Sequence, residues 1–143
     1  GVSLGFFLCL NGVDAAIYKN LPKSSIKDTF PKSYQTYIDN LKKDLLRRDF
    51  TINAIYYNIL KEELVDPVNG VEDIKNKILR TTINSNQTFK EDSERILRMI
   101  RFACTFNFEV EEKTLQSAVK NSRLVANLSK QRLKAEFDKI FGL

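Results

Sequence analysis

Arg47-Arg48-Asp49-Phe50-Thr51-Ile52-Asn53-Ala54 is the stretch on which the reading of this chain turns. Two adjacent guanidiniums beside a carboxylate and an amide can grip a phosphate and a ribose together. Arg forks its donors onto phosphate oxygens, and Asp or Asn bonds sugar hydroxyls. Taken alone, the same residues also fit the start of a capped helix with solvated charges, a common surface arrangement. The setting separates the two readings. These polar residues run straight into the apolar residues 52–59, where solvated charges are out of place.

Working outward, residues 38–48 show a helical pattern. Leu41, Leu45 and Leu46 fall on one face, with Lys42, Lys43, Arg47 and Arg48 around them. Asp49 or Thr51 caps a second helix over residues 52–60, apolar on most sides and therefore buried. Upstream, residues 4–10 read as a buried strand, Asn11-Gly12 as a type I′ hairpin turn, and residues 13–18 as the returning strand carrying Asp14. Residues 20–37, with Pro22 and Pro31 and no period, read as an exposed loop.

Downstream, residues 64–67 form a short strand or turn, Asn69-Gly70 punctuates, and residues 71–78 form a short helix. Asp66 and Asp73 have structural duty here, since the Asp-rich loop of a calcium site is missing. Residues 81–90 are a polar connector. Residues 91–105 give the clearest helix, with Ile96, Ile100 and Ala103 on one face, and Asn107 ends it. Residues 111–121 form another, with Leu115, Ala118 and Val119 inward. Ser129 caps the last helix, which runs through Ile140 with Leu133 and Phe137 at helical spacing. The order is a small β portion followed by helices, an α+β chain.

The longest unbroken apolar run, residues 6–10, is far too short to cross a bilayer. Twenty-three Lys and Arg against eighteen acids give a net charge of +5, which favours an anionic partner such as nucleic acid. Cys9 and Cys104 both lie in apolar surroundings and read as buried thiols in a reducing, intracellular compartment. Histidine is absent, which removes Ser-His and Cys-His catalysis and His-ligated zinc. Chemistry here rests on carboxylates, Arg, Lys or a hydroxyl.

A second constellation is Glu91-Asp92-Ser93-Glu94-Arg95-Ile96-Leu97-Arg98-Met99-Ile100-Arg101. Arg95, Arg98 and Arg101 recur every three residues as a slowly drifting basic stripe, with Asp92 three residues before Arg95 on the same face. A paired Asp and Arg offers one acceptor and several donors, which is what reading the edge of a base requires. An intrahelical ion pair worth only ~0.3–0.5 kcal/mol fits the same spacing.

Together these two stretches resemble motifs of the class II tRNA nucleotidyltransferase and bacterial-type poly(A) polymerase family. Asp66-Pro67-Val68-Asn69-Gly70-Val71-Glu72-Asp73-Ile74 through Lys77-Ile78-Leu79-Arg80 is similar to the family's hinge, and Ser129-Lys130-Gln131-Arg132 with Glu136 and Ile140 to its last motif. All four stand in family order over residues 44–140. The resemblance implies the end of a polymerase-beta-like nucleotidyltransferase head (residues 1–60), a hinge and connector (61–90), and a helical neck with the start of a body (91–143). It implies template-independent addition to the 3′ end of an RNA, with CCA addition to tRNA from CTP and ATP ahead of poly(A) synthesis from ATP. A nucleotide- or RNA-binding module without catalysis is the reading from another class.

Carried over, Arg48 binds the phosphates of the incoming nucleotide, and Asp49 and Asn53 hold its ribose. Asp92 and Arg95 pair with its base, and Arg98 and Arg101 support the triphosphate and that pairing. Asp14 is a candidate third catalytic carboxylate, on a strand where Lys19 replaces the family's Arg. Ser93 stands where the family usually has Pro. The family's Gly-Gly turn and Asp-x-Asp pair, which hold Mg²⁺, are not in this sequence. Together with the opening Gly1 this leads to the expectation that an N-terminal portion is missing and that the chain alone does not catalyse.

Overall fold

The computed structural model describes residues 3–4, 7–10, 34–59 and 62–142. Asp14, the Asn11-Gly12 turn with its returning strand, and the loop as far as residue 33 lie outside the described residues. The chain divides into two compact units, residues 1–74 and 75–143.

The first unit carries an antiparallel sheet in the order β1-β2-β3-β4, made of β1 (Ser3–Leu4), β2 (Phe7–Leu10), β3 (Ile55–Asn58) and β4 (Glu63–Val65). The single strand expected over residues 4–10 is therefore two, with Leu4 paired to Phe7. The helix expected over residues 52–60 is corrected more deeply. Thr51–Asn53 makes one 3-10 turn, and Ile55–Asn58 is a strand buried at every residue. A short apolar run has no period to separate buried helix from buried strand. Here the β-branched Ile55 and the aromatic Tyr56 and Tyr57 favour the pleated form. Neighbours on both sides take the backbone bonds of β3: Tyr57 lies opposite Leu8 of β2 and Leu64 of β4.

Helix α1 (Tyr34–Arg47) begins four residues earlier than its apolar pattern reveals. Leu41 and Leu45 pack on Ala54 and Tyr56 together with Val65 and Val68. Leu46, one step further round the helix, is exposed. Helix α2 (Gly70–Asn76) is started by Asp66, whose carboxylate accepts the N–H groups of Gly70 at 2.6 Å and Val71 at 3.0 Å. Gly70 is required by close approach, because a Cβ there would collide with the carbonyl oxygen of Thr51. The adjacent Asn69 takes the left-handed conformation. Asp73, also buried, accepts the Thr51 hydroxyl at 2.6 Å, so α2 is fastened to the turn that follows Arg48-Asp49.

The second unit is helical except for one short parallel pair, β5 (Ile78–Leu79) with β6 (Glu109–Val110), which the all-helical expectation did not include. Residues 81–90 are not merely a connector: they hold most of α3 (Ser85–Glu91), capped by the Asn84 side chain on the Gln87 N–H. The helix expected from residue 91 starts at Glu94 instead. It is α4 (Glu94–Phe106), ended by Asn107 in the left-handed conformation as expected. Ile96, Leu97 and Met99 form its buried stripe, whereas Ile100 is exposed and so is Cys104, against the expectation of a buried thiol. In α5 (Glu112–Lys120) the buried face is Thr114 and Ala118. Leu115 and Val119 face outward, Val119 at 67% exposure. The inward arc is thus turned by one residue, because the Thr114 hydroxyl bonds Glu111 and Ser85 within the unit. A 3-10 segment (Ser122–Asn127) leads to α6 (Lys130–Phe141), started by Ser129 as the sequence indicated. Its innermost residue is Glu136, while Phe137 is exposed.

Candidate functional site

In the first unit Arg48, Asp49 and Asn53 follow α1 and surround the turn into β3. Their geometry is set by a residue the sequence reading passed over, Asp44. This carboxylate is only 2% exposed. It accepts from Arg47 Nη2 at 2.7 Å, Arg48 Nε at 3.0 Å and the Tyr56 hydroxyl at 2.9 Å. Burial pushes its pKa up, but the hydrogen bonds from Arg47, Tyr56 and Arg48, with the Arg48 charge, outweigh that and hold it below the ordinary carboxylate value. Binding through Nε fixes the plane of the Arg48 guanidinium while α1 and β3 anchor the carboxylate beneath it. Asp49 is buried too, and its Oδ1 accepts the Phe50 N–H at 2.8 Å and Asn53 Nδ2 at 3.2 Å. Asp49 therefore orients the Asn53 amide. The sequence signal for Asp44 was its spacing: i to i+3 and i+4 from the two arginines.

In the second unit Asp92 is not on the helix of Arg95. It lies between α3 and α4 in extended conformation, with φ −150° and ψ 102°. Its Oδ1 accepts the Glu94 N–H at 3.1 Å and Arg132 Nη2 at 2.7 Å. Among the described residues none donates to Oδ2. Arg95, three residues further on, has Nη1 on the Thr88 carbonyl at 3.1 Å and on Glu91 Oε2 at 3.5 Å. Its backbone N–H reaches the Asp92 carbonyl at 3.1 Å. The tie between the two residues is thus a backbone turn, Arg95 N–H on the Asp92 carbonyl, rather than a side-chain pair.

Arg98 and Arg101 flank the Phe102 ring, their guanidinium carbons 5.0 and 4.6 Å from its centre. Arg101 Nε also donates to Glu136 at 3.0 Å, and Glu136 is buried. The stripe is therefore differentiated: Arg101 ties α4 to α6, a task visible in the sequence only as Glu136 of the last motif. Among the described residues no three Asp, Glu, Cys or His side chains come together as a metal site. The described residues do not by themselves fit a magnesium ion. No helix among them is long and apolar enough to cross a membrane. An open groove of about 500 Å³ between α3 and α5, lined by Thr81, Ser85, Glu111, Lys113 and Lys120, contains none of the candidate residues.

The Poly A polymerase head domain family matches residues 16–80, and the family described as "Probable RNA and SrmB- binding site of polymerase A" matches residues 107–142. The CCA-adding enzyme of Lactobacillus helveticus (strain DPC 4571) is 40% identical over 118 residues, 82% of this chain and 29% of that protein. That of Streptococcus mutans serotype c is 36% identical over 141 residues, covering 98% and 35%. Among solved structures, the Bacillus stearothermophilus CCA-adding enzyme in complex with CTP is similar at a TM-score of 0.68 and 36% identity, covering 80% of this chain and 27% of that one. The Thermotoga maritima CCA-adding enzyme complexed with tRNA-CCA is similar at 0.65 and 36%, covering 70% and 25%. The chain thus spans about a third or less of the relatives it matches. With four motifs in order, matches to the head and RNA-binding families, and this fold, the chain belongs to the family of CCA-adding enzymes and poly(A) polymerases.

Proposed function

We propose that the complete protein is a nucleotidyltransferase that completes the 3′ end of tRNA with CTP and ATP, and that this chain carries its nucleotide-selecting part. The observation that carries the reading is the Asp92 carboxylate, held by one oxygen and presenting the other, one turn from Arg95. Cytosine and adenine each offer an amine donor beside a ring-nitrogen acceptor. Uracil and guanine offer a carbonyl acceptor beside an N–H donor. An acceptor next to a donor therefore matches C and A and is left unpaired against U and G, which is how hydrogen-bonding sites discriminate.

Arg48, its plane fixed by Asp44, binds the nucleotide phosphates. Asn53, oriented by Asp49, bonds the ribose. Arg98 and Arg101 support the base reader from α4. The partners are CTP, ATP and an RNA 3′ end, in a reducing compartment inside the cell. Mg²⁺ is the proposed metal of the complete enzyme, and Asp14 a third carboxylate for it. Residues 1–60 serve as the remainder of the head, 61–90 as hinge and connector, and 91–143 as neck and start of body. Names of similar proteins support this reading, since the Bacillus stearothermophilus protein solved with CTP and the Thermotoga maritima protein solved with tRNA-CCA are CCA-adding enzymes.

The experiment is incubation of the complete protein with tRNA lacking its terminal CCA. CTP alone is expected to extend the RNA by two nucleotides, and CTP with ATP by one more. Repeated incorporation from ATP alone would instead identify a poly(A) polymerase, and nucleotide binding with no extension a non-catalytic module.

A further inference from the structure

We infer that Arg132 is a positioning residue for base selection, holding Asp92 so that Oδ2 is the oxygen offered to the nucleotide. The inference rests on the reading of Asp92 as base acceptor and adds to it a residue from α6, forty positions away in sequence. Arg132 Nη2 stands 2.7 Å from Asp92 Oδ1 and 2.6 Å from Glu94 Oε2, and its Nε 3.3 Å from the same Glu94 oxygen. One guanidinium thus bridges two carboxylates that lie two residues apart and would otherwise repel each other. Arg132 stands in the first turn of α6, whose start is capped by Ser129 Oγ accepting the Arg132 N–H at 3.2 Å. The Glu94 N–H supplies the second donor to Asp92 Oδ1. With both protein donors on Oδ1, the carboxylate is held in one orientation.

Stability does not account for this bridge. The Arg132 side chain is 44% exposed and those of Asp92 and Glu94 are 35% and 20%, and ion pairs as open as this contribute little to folding. The two carboxylates, Glu94 ahead of Asp92, raise the Arg132 pKa above its usual value, so it stays charged over the whole working range. Orientation is what such a fork supplies well. Without it, Asp92 is free to change rotamer and to swing from Glu94, and the acceptor is no longer in register with Arg95.

The test compares Arg132→Ala, Arg132→Lys, Asp92→Ala and Ser129→Ala in the complete enzyme, reading kcat/KM for CTP, ATP and UTP beside thermal melts. Arg132→Ala is expected to lower the CTP-to-UTP and ATP-to-UTP preference about tenfold, within the range a lost base contact spans, with Arg132→Lys restoring part of it. Ser129→Ala, which removes the helix cap but leaves the guanidinium, is expected to lower the melting temperature and spare the preference. If Asp92→Ala loses the preference while Arg132→Ala keeps it, the inference is overturned and the base-reading role stands. If Asp92→Ala itself keeps the preference, both fall. A shift in Ser129→Ala as large as in Arg132→Ala would reduce Arg132 to a structural part and overturn the inference as well. Should Arg132→Ala fail to fold, Arg132→Gln, which retains the stem, reads the same ratio.

Discussion

Asp44→Ala is expected to remove about 3 kcal/mol of stability from the first unit, because it strips a buried carboxylate from the cationic and hydroxyl groups arranged around it. Arg48 loses its Nε acceptor, the buried Tyr56 hydroxyl loses Asp44, and α1 loses its polar tie to β3. Chemical denaturation read by a probe in residues 34–74 measures the loss. The effect carries a pH signature. Asp44 has a folded pKa below its ordinary value, so its ionisation contributes stability that is fully present above about pH 4, the unfolded value, and fades as pH falls through the lowered pKa. The gap between wild type and Asp44→Ala should therefore narrow in acid. A gap that stays constant from pH 7 down to about pH 2 contradicts the role assigned to the charge. Asp44→Asn, which keeps an acceptor oxygen without the charge, should fall between the two.

Asp92→Ala is expected to act on choice rather than on fold. Asp92 is half-exposed and its ion pair is open to solvent, so its loss should change stability by no more than about 1 kcal/mol. Loss of a base contact is worth about 1–3 kcal/mol of discrimination, which is roughly 5- to 150-fold in the ratio of kcat/KM for CTP over UTP. The fall should come from CTP and ATP, with UTP little changed. Arg48→Ala supplies the contrast: a phosphate contact is common to every nucleotide, so kcat/KM should fall for CTP, ATP and UTP alike. Single-turnover assays with each triphosphate separate the two patterns. An unchanged preference in Asp92→Ala refutes base reading by this residue.

What the sequence made legible were features written in local chemistry. Ser129 and Asn107 bound their helices where cap residues stand, and Asp66 reaches forward onto the start of α2. The candidate residues fall in two places, around the turn at residues 51–53 and at the junction of α3 and α4, each matching one quoted motif. What stayed hidden depends on partners distant in sequence. Ile55–Asn58 became a strand because β2 and β4 bracket it, information absent from so short an apolar stretch. The break before α4 is written in Asp92-Ser93, two residues that favour caps and turns, but the unbroken spacing of charged residues 91–101 hides it, and Asn84 caps α3 on the Gln87 N–H inside a stretch whose composition is that of a connector. Arg132 and Glu136 look like ordinary surface charges until α6 is laid beside α4, where they meet Asp92, Glu94 and Arg101. Leu115 and Val119 have the right period for a core, but hydrogen bonding of Thr114 rotates the helix away from them.

The central claim is that the Asp92 carboxylate accepts the exocyclic amine of the incoming base. It is tested most directly by comparing CTP with the triphosphate of the same nucleoside lacking the 4-amino group, in wild type and in Asp92→Ala. Wild type should prefer CTP by at least about tenfold, and Asp92→Ala should use both nucleotides equally well. The same preference for CTP in both proteins would mean that the amine is recognised elsewhere.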